Sequence, residues 1–459
     1  MDVKGKRVLV VGLGKSGVAS ALFLASRGAR VTVSDAKSED QLRTEIPALL
    51  DRGITVETGK HGERTFRDQD LIVVSPGVPG NVDPLQHARR LGIPVIGEIE
   101  LTARFLQGNI VAITGSNGKT TTTTLTGEII ASGGRKTLVG GNIGTPAITF
   151  VEQSSADTWV VLEISSFQLE SIETFRPHIS AILNVTPDHL DRHGSMENYI
   201  AAKTRIFENQ TADDFAILNS DSEICRGLAA GLKPKVLWFS RLHAVERGAF
   251  VKGDTIFYRD GVEVEIMPVS EIALKGAHNV ENVLAAVAIG MAAGVEPSSI
   301  RRAVKDFRAV EHRLEYVATL RGVQYYNDSK ATNVDATIKA LESFPANIHL
   351  ILGGKDKGND YSELAPLIAE RVKRVYTIGA AAAKIESQIG TAVPVTSAQT
   401  LESAVRKAAD LATEGDIVLL APACASFDQF PNYEERGKVF KELVQSLAAL
   451  HSESPTGGR

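Results

Sequence analysis

Two glycine-rich turns, each following an apolar strand, carry the plainest chemistry in this sequence. The stronger reads Ile113-Thr114-Gly115-Ser116-Asn117-Gly118-Lys119-Thr120-Thr121 and opens a helical stretch. Glycines let backbone N–H groups turn inward around phosphate oxygens, and the helix N-terminus adds a positive dipole end. In such a loop Lys119 reaches the terminal phosphates of a nucleoside triphosphate, and the Thr120 hydroxyl holds Mg²⁺. The general pattern asks for glycine at position 113, where Ile113 stands, so this is a variant phosphate loop whose first glycine is Gly115.

The second turn, Gly12-Leu13-Gly14-Lys15-Ser16-Gly17, fits G-x-G-x-x-G and is followed by Asp35 at the end of the next predicted strand. Three readings stay open for it: a dinucleotide fingerprint, a cradle for UDP, or a tight turn without a ligand. Two nucleotide sites in one chain suit a nicotinamide oxidoreductase poorly. An ATP-using enzyme with a nucleotide-tagged substrate accommodates both. Acidic and imidazole groups add to the picture. Glu163 ends an apolar strand, and His189 follows another in Thr186-Pro187-Asp188-His189. In a parallel sheet the C-terminal strand ends share one edge with the phosphate loop. Thr120, Glu163 and His189 can therefore converge on Mg²⁺, a hard cation that prefers oxygen ligands.

The elements that must position these residues fall into three successive α/β segments. The 459 residues exceed one hydrophobic core and suggest about three domains. Predicted strands at Arg7–Val11, Arg30–Asp35 and Leu71–Ser75 belong to the first segment. Asn109–Thr114, Trp159–Ile164 and Ile179–Val185 belong to the second, with an alternating stretch from Ala249 to Met267 that reads as a hairpin pair lying on the main sheet. An apolar helix is expected from Asn279 to Ala293, and another capped by Ser298. Val323–Tyr326, His349–Leu352, Val375–Ile378 and Ile417–Leu420 form the third segment, before a polar tail from His451 to Arg459 expected to be disordered. The expected division is 1–99, 100–309 and 310–459.

Bulk properties exclude several classes. A formal net charge of −5 argues against a strongly cationic nucleic-acid or membrane-surface binder. Two distant cysteines, Cys225 and Cys424, exclude a disulfide scaffold and a four-cysteine zinc site. The apolar stretch from Val283 to Val295 is shorter than the roughly 18 residues that suggest a membrane span. No signal-peptide pattern precedes the first strand, so a cytoplasmic location is expected.

Several motifs together resemble the Mur ligases. They are the phosphate loop itself, Gly141-Asn142-Ile143-Gly144, Glu163 to Gln168, Asn184 to His189, and His278-Asn279 with Asn282. The runs Asn327 to Asn333 and Pro422 to Phe430 are similar to the branch that adds D-glutamate, and the resemblance covers essentially the whole chain. It implies a Rossmann-like UDP-binding domain, a central P-loop ATPase-like domain with extra β-strands, and a Rossmann-like domain for the amino acid. It implies ATP and Mg²⁺, with UDP-N-acetylmuramoyl-L-alanine and D-glutamate as substrates, and a chain acting as a monomer.

The resemblance also implies roles for residues. Leu13, Ser16, Asp35 and Lys37 line the uridine site, with Ser75 and Gly77 near the UDP phosphates. Asn142 and His189 hold the muramoyl-alanine end. Gly115, Ser116, Asn117, Gly118, Lys119, Thr120 and Thr121 bind ATP together with Asn279, Arg313 and Asp328. Thr120, Glu163 and His189 hold the metal, joined by Lys203, which the family carbamylates. Lys119, Glu163, His189 and Lys203 are the implied catalytic set. Lys330, Thr332, Lys357, Ser426 and Phe427 form the D-glutamate pocket, with Lys355 as the alternative to Lys357.

Overall fold

The structure, a computed structural model, describes residues 1–308 and 310–452. The boundary placed at residue 309 and residues 453–459 of the tail lie outside the described residues, while 451 and 452, expected to open the disordered tail, instead end the helix Tyr433–Ser452. Three sheets follow one another along the chain. The first joins β1 (Arg7–Val11), β2 (Arg30–Ser34), β3 (Thr55–Glu57), β4 (Leu71–Val74) and β5 (Val95–Gly97) in the order β3-β2-β1-β4-β5, all parallel. The order reverses between β1 and β4, and the turns after these two strands meet there. Ser75 donates its hydroxyl to the Gly12 carbonyl at 2.8 Å. Gly17 permits the approach: a Cβ there would stand 1.9 Å from the Gly12 oxygen and 2.7 Å from the Ser75 hydroxyl.

The second sheet contains β6 (Asn109–Thr114), β7 (Thr137–Gly141), β8 (Trp159–Glu163), β9 (Ile179–Ile182), β10 (Phe215–Asn219), β11 (Lys235–Ser240), β12 (Gly248–Lys252), β13 (Thr255–Asp260) and β14 (Val262–Pro268). Their order is β14-β13-β12-β11-β10-β9-β6-β8-β7. Buried runs such as Ile110 to Ile113 and Val160 to Leu162 are apolar on both faces, as a parallel strand covered by helices on each side requires. Helices Lys119–Ser132 and Ala277–Ala292 share one core cluster on one face, through Leu125, Ile129, Val283, Leu284 and Val287.

The segment from Ala249 to Met267 does not lie on this sheet. It extends the sheet's edge: β12 pairs parallel with β11, and β13 and β14 continue antiparallel. Gly248 lets the added strand approach, since a Cβ there would meet the Trp238 carbonyl at 1.8 Å. The helix expected to be capped by Ser298 begins earlier, at Pro297, after Glu296. Proline at the first helical position is preset in φ and needs no hydrogen-bond donor there.

The third sheet runs β15 (Glu315–Leu320), β16 (Val323–Asn327), β20 (Ile417–Leu420), β17 (Ile348–Gly353), β18 (Val372–Ile378) and β19 (Val395–Gln399). All its pairs are parallel except the edge pair β15–β16. No helix among the described residues is long and apolar enough to cross a membrane.

Helix Glu98–Ala103 carries the chain from the first sheet to the second and buries Glu98 against residues 147–148. Burial raises the Glu98 carboxyl from 4.5 to about 7, despite an N–H donated by Ile148. Its second oxygen has no hydrogen-bond partner among the described residues. The folded chain therefore holds this proton more tightly than the unfolded chain. The stabilisation is fully present below about pH 4.5 and is lost as pH rises through about 7. Glu98→Gln should match the parent near the lower limit and exceed it by about 3 kcal/mol above the upper one. Denaturant titrations at both limits measure this, and a difference that does not change with pH would contradict it.

Candidate active site

The phosphate loop joins β6 to helix Lys119–Ser132. Gly118 caps the helix at φ +83°, and a Cβ there would stand 2.2 Å from the Asn282 side-chain oxygen. Both facts require glycine. Segments after β9 hold the loop: Asn117 N–H donates to Asn184 Oδ1 at 2.9 Å, and the Ser116 hydroxyl donates to the Thr186 carbonyl at 2.9 Å. Lys119 Nζ donates to the Gly115 and Ser116 carbonyls, both at 2.9 Å.

Glu163, at the end of β8, is 1% exposed. It accepts the Thr120 hydroxyl at 2.8 Å and the Asn142 carboxamide at 2.9 Å. Burial alone would raise its carboxyl. Lys330 and Lys119, with these two hydrogen bonds, outweigh burial and hold it below its ordinary value. Lys330 comes from the loop after β16 and donates to the Thr120 hydroxyl. Burial lowers its amine to about 8. A buried carboxylate beside a hydroxyl is a hard-oxygen donor set, and it fits Mg²⁺.

Lys203 lies on helix Met196–Thr204, 1% exposed, and donates to the Gly115 carbonyl at 2.9 Å. Burial, reinforced by Lys119, pushes its amine well below the ordinary lysine value. His189 adopts a left-handed conformation at φ 54°, and its ring packs edge-on against Phe167. One cleft gathers Lys119, Asn142, His189 and Lys203 from the second unit with Thr332, Lys357, Ser426 and Phe427 from the third. Lys357 Nζ stands 3.3 Å from Asp188 Oδ1, and Asn333 donates to Asp188 Oδ2 at 3.1 Å. Burial opposes ionisation of Asp188, but Lys357 and His189 hold its carboxyl low.

An adjoining cavity brings Asn117 and Gly118 together with Arg313 and Asp328, against the apolar side chains of Leu183 and Phe239. Asp328 Oδ1 is buried 3.5 Å from an Arg313 guanidinium nitrogen, without a hydrogen-bond partner among the described residues, and burial raises the carboxyl to about 6. It thus suits a neutral hydroxyl donor such as ribose. Asn282 lines this cavity. Asn279 stands behind it, accepting from Asn282 Nδ2 at 3.0 Å, and lines a neighbouring recess with Thr121 and Arg313.

In the first unit, the Leu13 N–H donates to Asp35 Oδ2 at 2.7 Å and the Lys37 N–H to Asp35 Oδ1 at 2.8 Å. Ser16 is half-buried, Ser75 buried, and Gly77 exposed at the rim. Arg192 ties this rim to the second unit, donating to the Pro76 carbonyl at 3.3 Å while its guanidinium lies 4.1 Å from the Phe167 ring centroid. The ammonium of Lys355 is not among the groups lining the cleft, which takes Lys357 from that loop. Sequence reasoning gave no role to Asp188, Arg192 or Asp335, nor to Tyr433, which lines the same cleft. Asp188 was visible beside His189, but only the fold shows what reaches it.

Family models match three consecutive spans. These are the Mur ligase MurD-like N-terminal domain over residues 6–97, the Mur ligase middle domain over 113–290, and the Mur ligase glutamate ligase domain over 312–424. The chain belongs to the Mur ligase family. A Koribacter versatilis protein named UDP-N-acetylmuramoylalanine--D-glutamate ligase is 68% identical over 449 residues, spanning 98% of this chain and 99% of its own. An Acidobacterium capsulatum protein of the same name is 61% identical, spanning 97% of each. Among solved structures, a pseudomurein peptide ligase type C from Methanothermus fervidus aligns with a TM-score of 0.63 at 19% identity, covering 96% of this chain and all of its own. UDP-N-acetylmuramate-alanine ligase from Thermotoga maritima aligns at 0.62, also at 19% identity, with the same coverage. At these identities the likeness is one of fold.

In this Mur ligase the second and third units are tied across the cleft by the Asp188 pairs. Asp188→Ala should loosen the tie and raise the radius of gyration of the ligand-free protein in small-angle scattering. An unchanged scattering curve would show that the two units are held together without this pair.

Proposed function

We propose that the chain joins D-glutamate to UDP-N-acetylmuramoyl-L-alanine at the expense of ATP, in peptidoglycan precursor synthesis in the cytoplasm, acting as a monomer. The observation that carries the reading is the single cleft in which Lys119, Asn142, His189 and Lys203 face Thr332, Lys357, Ser426 and Phe427. The names of the relatives, matched along nearly their full lengths, support the same reaction.

The chemical problem is that a carboxylate is a poor electrophile and an amine would sooner form a salt with it. ATP solves it in two steps. The L-alanine carboxylate oxygen attacks the γ-phosphorus, and ADP leaves with the bridging oxygen. The D-glutamate amine then attacks the carbonyl carbon of the acyl phosphate. A C–N bond forms, the amine gives up a proton, and phosphate leaves from the tetrahedral intermediate with the C–O electron pair.

In this reading residues 1–99 hold UDP through Leu13, Ser16, Asp35, Lys37, Ser75 and Gly77. Residues 100–309 hold ATP on Gly115 to Thr121, with Asn279 behind the cavity. Residues 310–459 supply Arg313 and Asp328 to the nucleotide. Asn142 and His189 orient the muramoyl-alanine end. Lys119 offsets charge on the transferred phosphate. Lys330 and Lys357 receive the D-glutamate carboxylates, with Thr332, Ser426 and Phe427 shaping the pocket. Thr120, Glu163 and His189, with Lys203 as its carbamate, would hold Mg²⁺, which supplies positive charge against the phosphates. Burial and the nearby Lys119 charge favour the free base of Lys203, the form that reacts with CO₂.

Phosphate release with UDP-N-acetylmuramoyl-L-alanine, measured across a panel of amino acids, should strongly favour D-glutamate. Lys119→Ala should abolish turnover with its fold retained. Lys357→Ala should raise the KM for D-glutamate about thirtyfold, as expected on losing one charged partner. Preference for another amino acid would overturn the assignment. Separately, protein equilibrated with ¹³C-bicarbonate should show a carbamate resonance that Lys203→Arg removes. Its absence from the parent would leave Lys203 an ordinary amine.

A further inference from the structure

Helix Val334–Glu342 sets two opposite charges one turn apart against the phosphate loop. Asp335, in its first turn, accepts the carboxamide of Asn117 and the Thr186 hydroxyl, the latter at 3.2 Å. Asn117 belongs to the loop. Thr186 belongs to the segment that supports it, its N–H donating to Ser116 Oγ at 2.9 Å. One carboxylate from the third unit thus bonds both the loop and its support. Lys339 Nζ lies 3.0 Å from the same carboxylate oxygen. Both side chains are part-buried, 24% exposed for Asp335 and 22% for Lys339. Lys339 also lines the cavity that holds Asn117, Gly118, Arg313 and Asp328.

A carboxylate beside a loop built for polyphosphate repels its ligand unless it is neutralised. The repulsion falls only as the inverse of distance in a part-buried cleft. Among the described residues, Lys339 is the cation within ion-pair distance of Asp335. We propose that Asp335 and Lys339 form a paired nucleotide-positioning device: Asp335 draws the helix onto the phosphate loop, and Lys339 cancels its charge while facing the nucleotide. This rests on the reading of the adjoining cavity as the ATP site. Asp335 acts through Asn117 and Thr186, so it is a positioning residue. Lys339 is a nucleotide-facing one.

The pair has a signature that loss of packing would not give. Lys339→Met leaves the Asp335 charge uncompensated, and Asp335→Asn in the same chain then removes that charge. Calorimetric binding of MgADP to the full chain should weaken about tenfold in Lys339→Met and return to within about threefold of the parent in Lys339→Met/Asp335→Asn. The KM for ATP should follow the same order, while the KM for D-glutamate stays within about twofold. Lys339→Arg should bind like the parent, because it restores the charge. Parent-like binding by Lys339→Met overturns the proposal, and so does a double variant as weak as or weaker than the single one. Failure of the parent itself to bind MgADP would instead overturn the ATP reading of the cavity.

Discussion

A carboxylate removed from water must be neutralised where it stands, and the arrangement around Glu163 follows from that requirement. Its oxygens are satisfied by Thr120 from the phosphate-loop helix and Asn142 from the turn after β7. Its charge is met by Lys119 and by Lys330, which arrives from the third unit. An isolated buried carboxylate would cost several kcal/mol and would shed its charge by taking up a proton. Glu163 keeps its charge only because the segments after β6 and β7 and a loop of the third unit all face it. The order β9-β6-β8-β7 is what puts those strand ends on one edge.

The third unit meets the same edge with its own strand ends. The loops after β16, β17 and β20 carry Lys330, Lys357 and Ser426. Arg436 fixes two of these loops from below. It is 1% exposed and donates to the Ser329 carbonyl at 2.8 Å and to the Cys424 carbonyl at 3.2 Å. Carbonyls take the place of a carboxylate partner here, and burial lowers the guanidinium to about 10. The cost of burying this charge falls on a place where it locks the backbone of these loops, together with the Ser329 hydroxyl, which accepts from Nε at 2.9 Å. The residues beside it are therefore presented by a stiff frame, as binding groups need to be.

Much of this was legible in the sequence, for physical reasons. Buried parallel strands are continuous apolar runs, so β1, β6, β8 and β20 stood out. Glycines forced by close approach, such as Gly17 and Gly118, marked the two glycine-rich turns. The extension of the second sheet was misplaced because alternation identifies strands without saying which edge they join. That information sits in Gly248, whose missing side chain admits Trp238. The cap at Ser298 was misread because a polar residue near a helix start outweighed Pro297 one position earlier. The short or half-exposed strands β3, β5 and β19 carry too little apolar pattern to declare themselves. Asp188, Asp335 and Arg192 escaped for another reason. Each is an ordinary charged residue locally, and its meaning lies in a partner 114 to 218 positions away in sequence.

Those long-range partners explain how one site can be both assembled and responsive. Lys357 faces Asp188 across the cleft, Lys330 is drawn towards Glu163, and Asp335 holds Asn117. Each tie joins an ion to a group that is itself suited to a phosphate, a carboxylate or a metal. When an anionic ligand enters, a cation already stripped of much of its water can exchange one anion for another. The desolvation has been incurred beforehand, so the exchange costs little beyond the difference between two similar pairs. A cleft assembled from charged groups paired in this way can be in place before substrate and still bind substrate well. A cleft closed by apolar contact alone would have no charges in place to receive it.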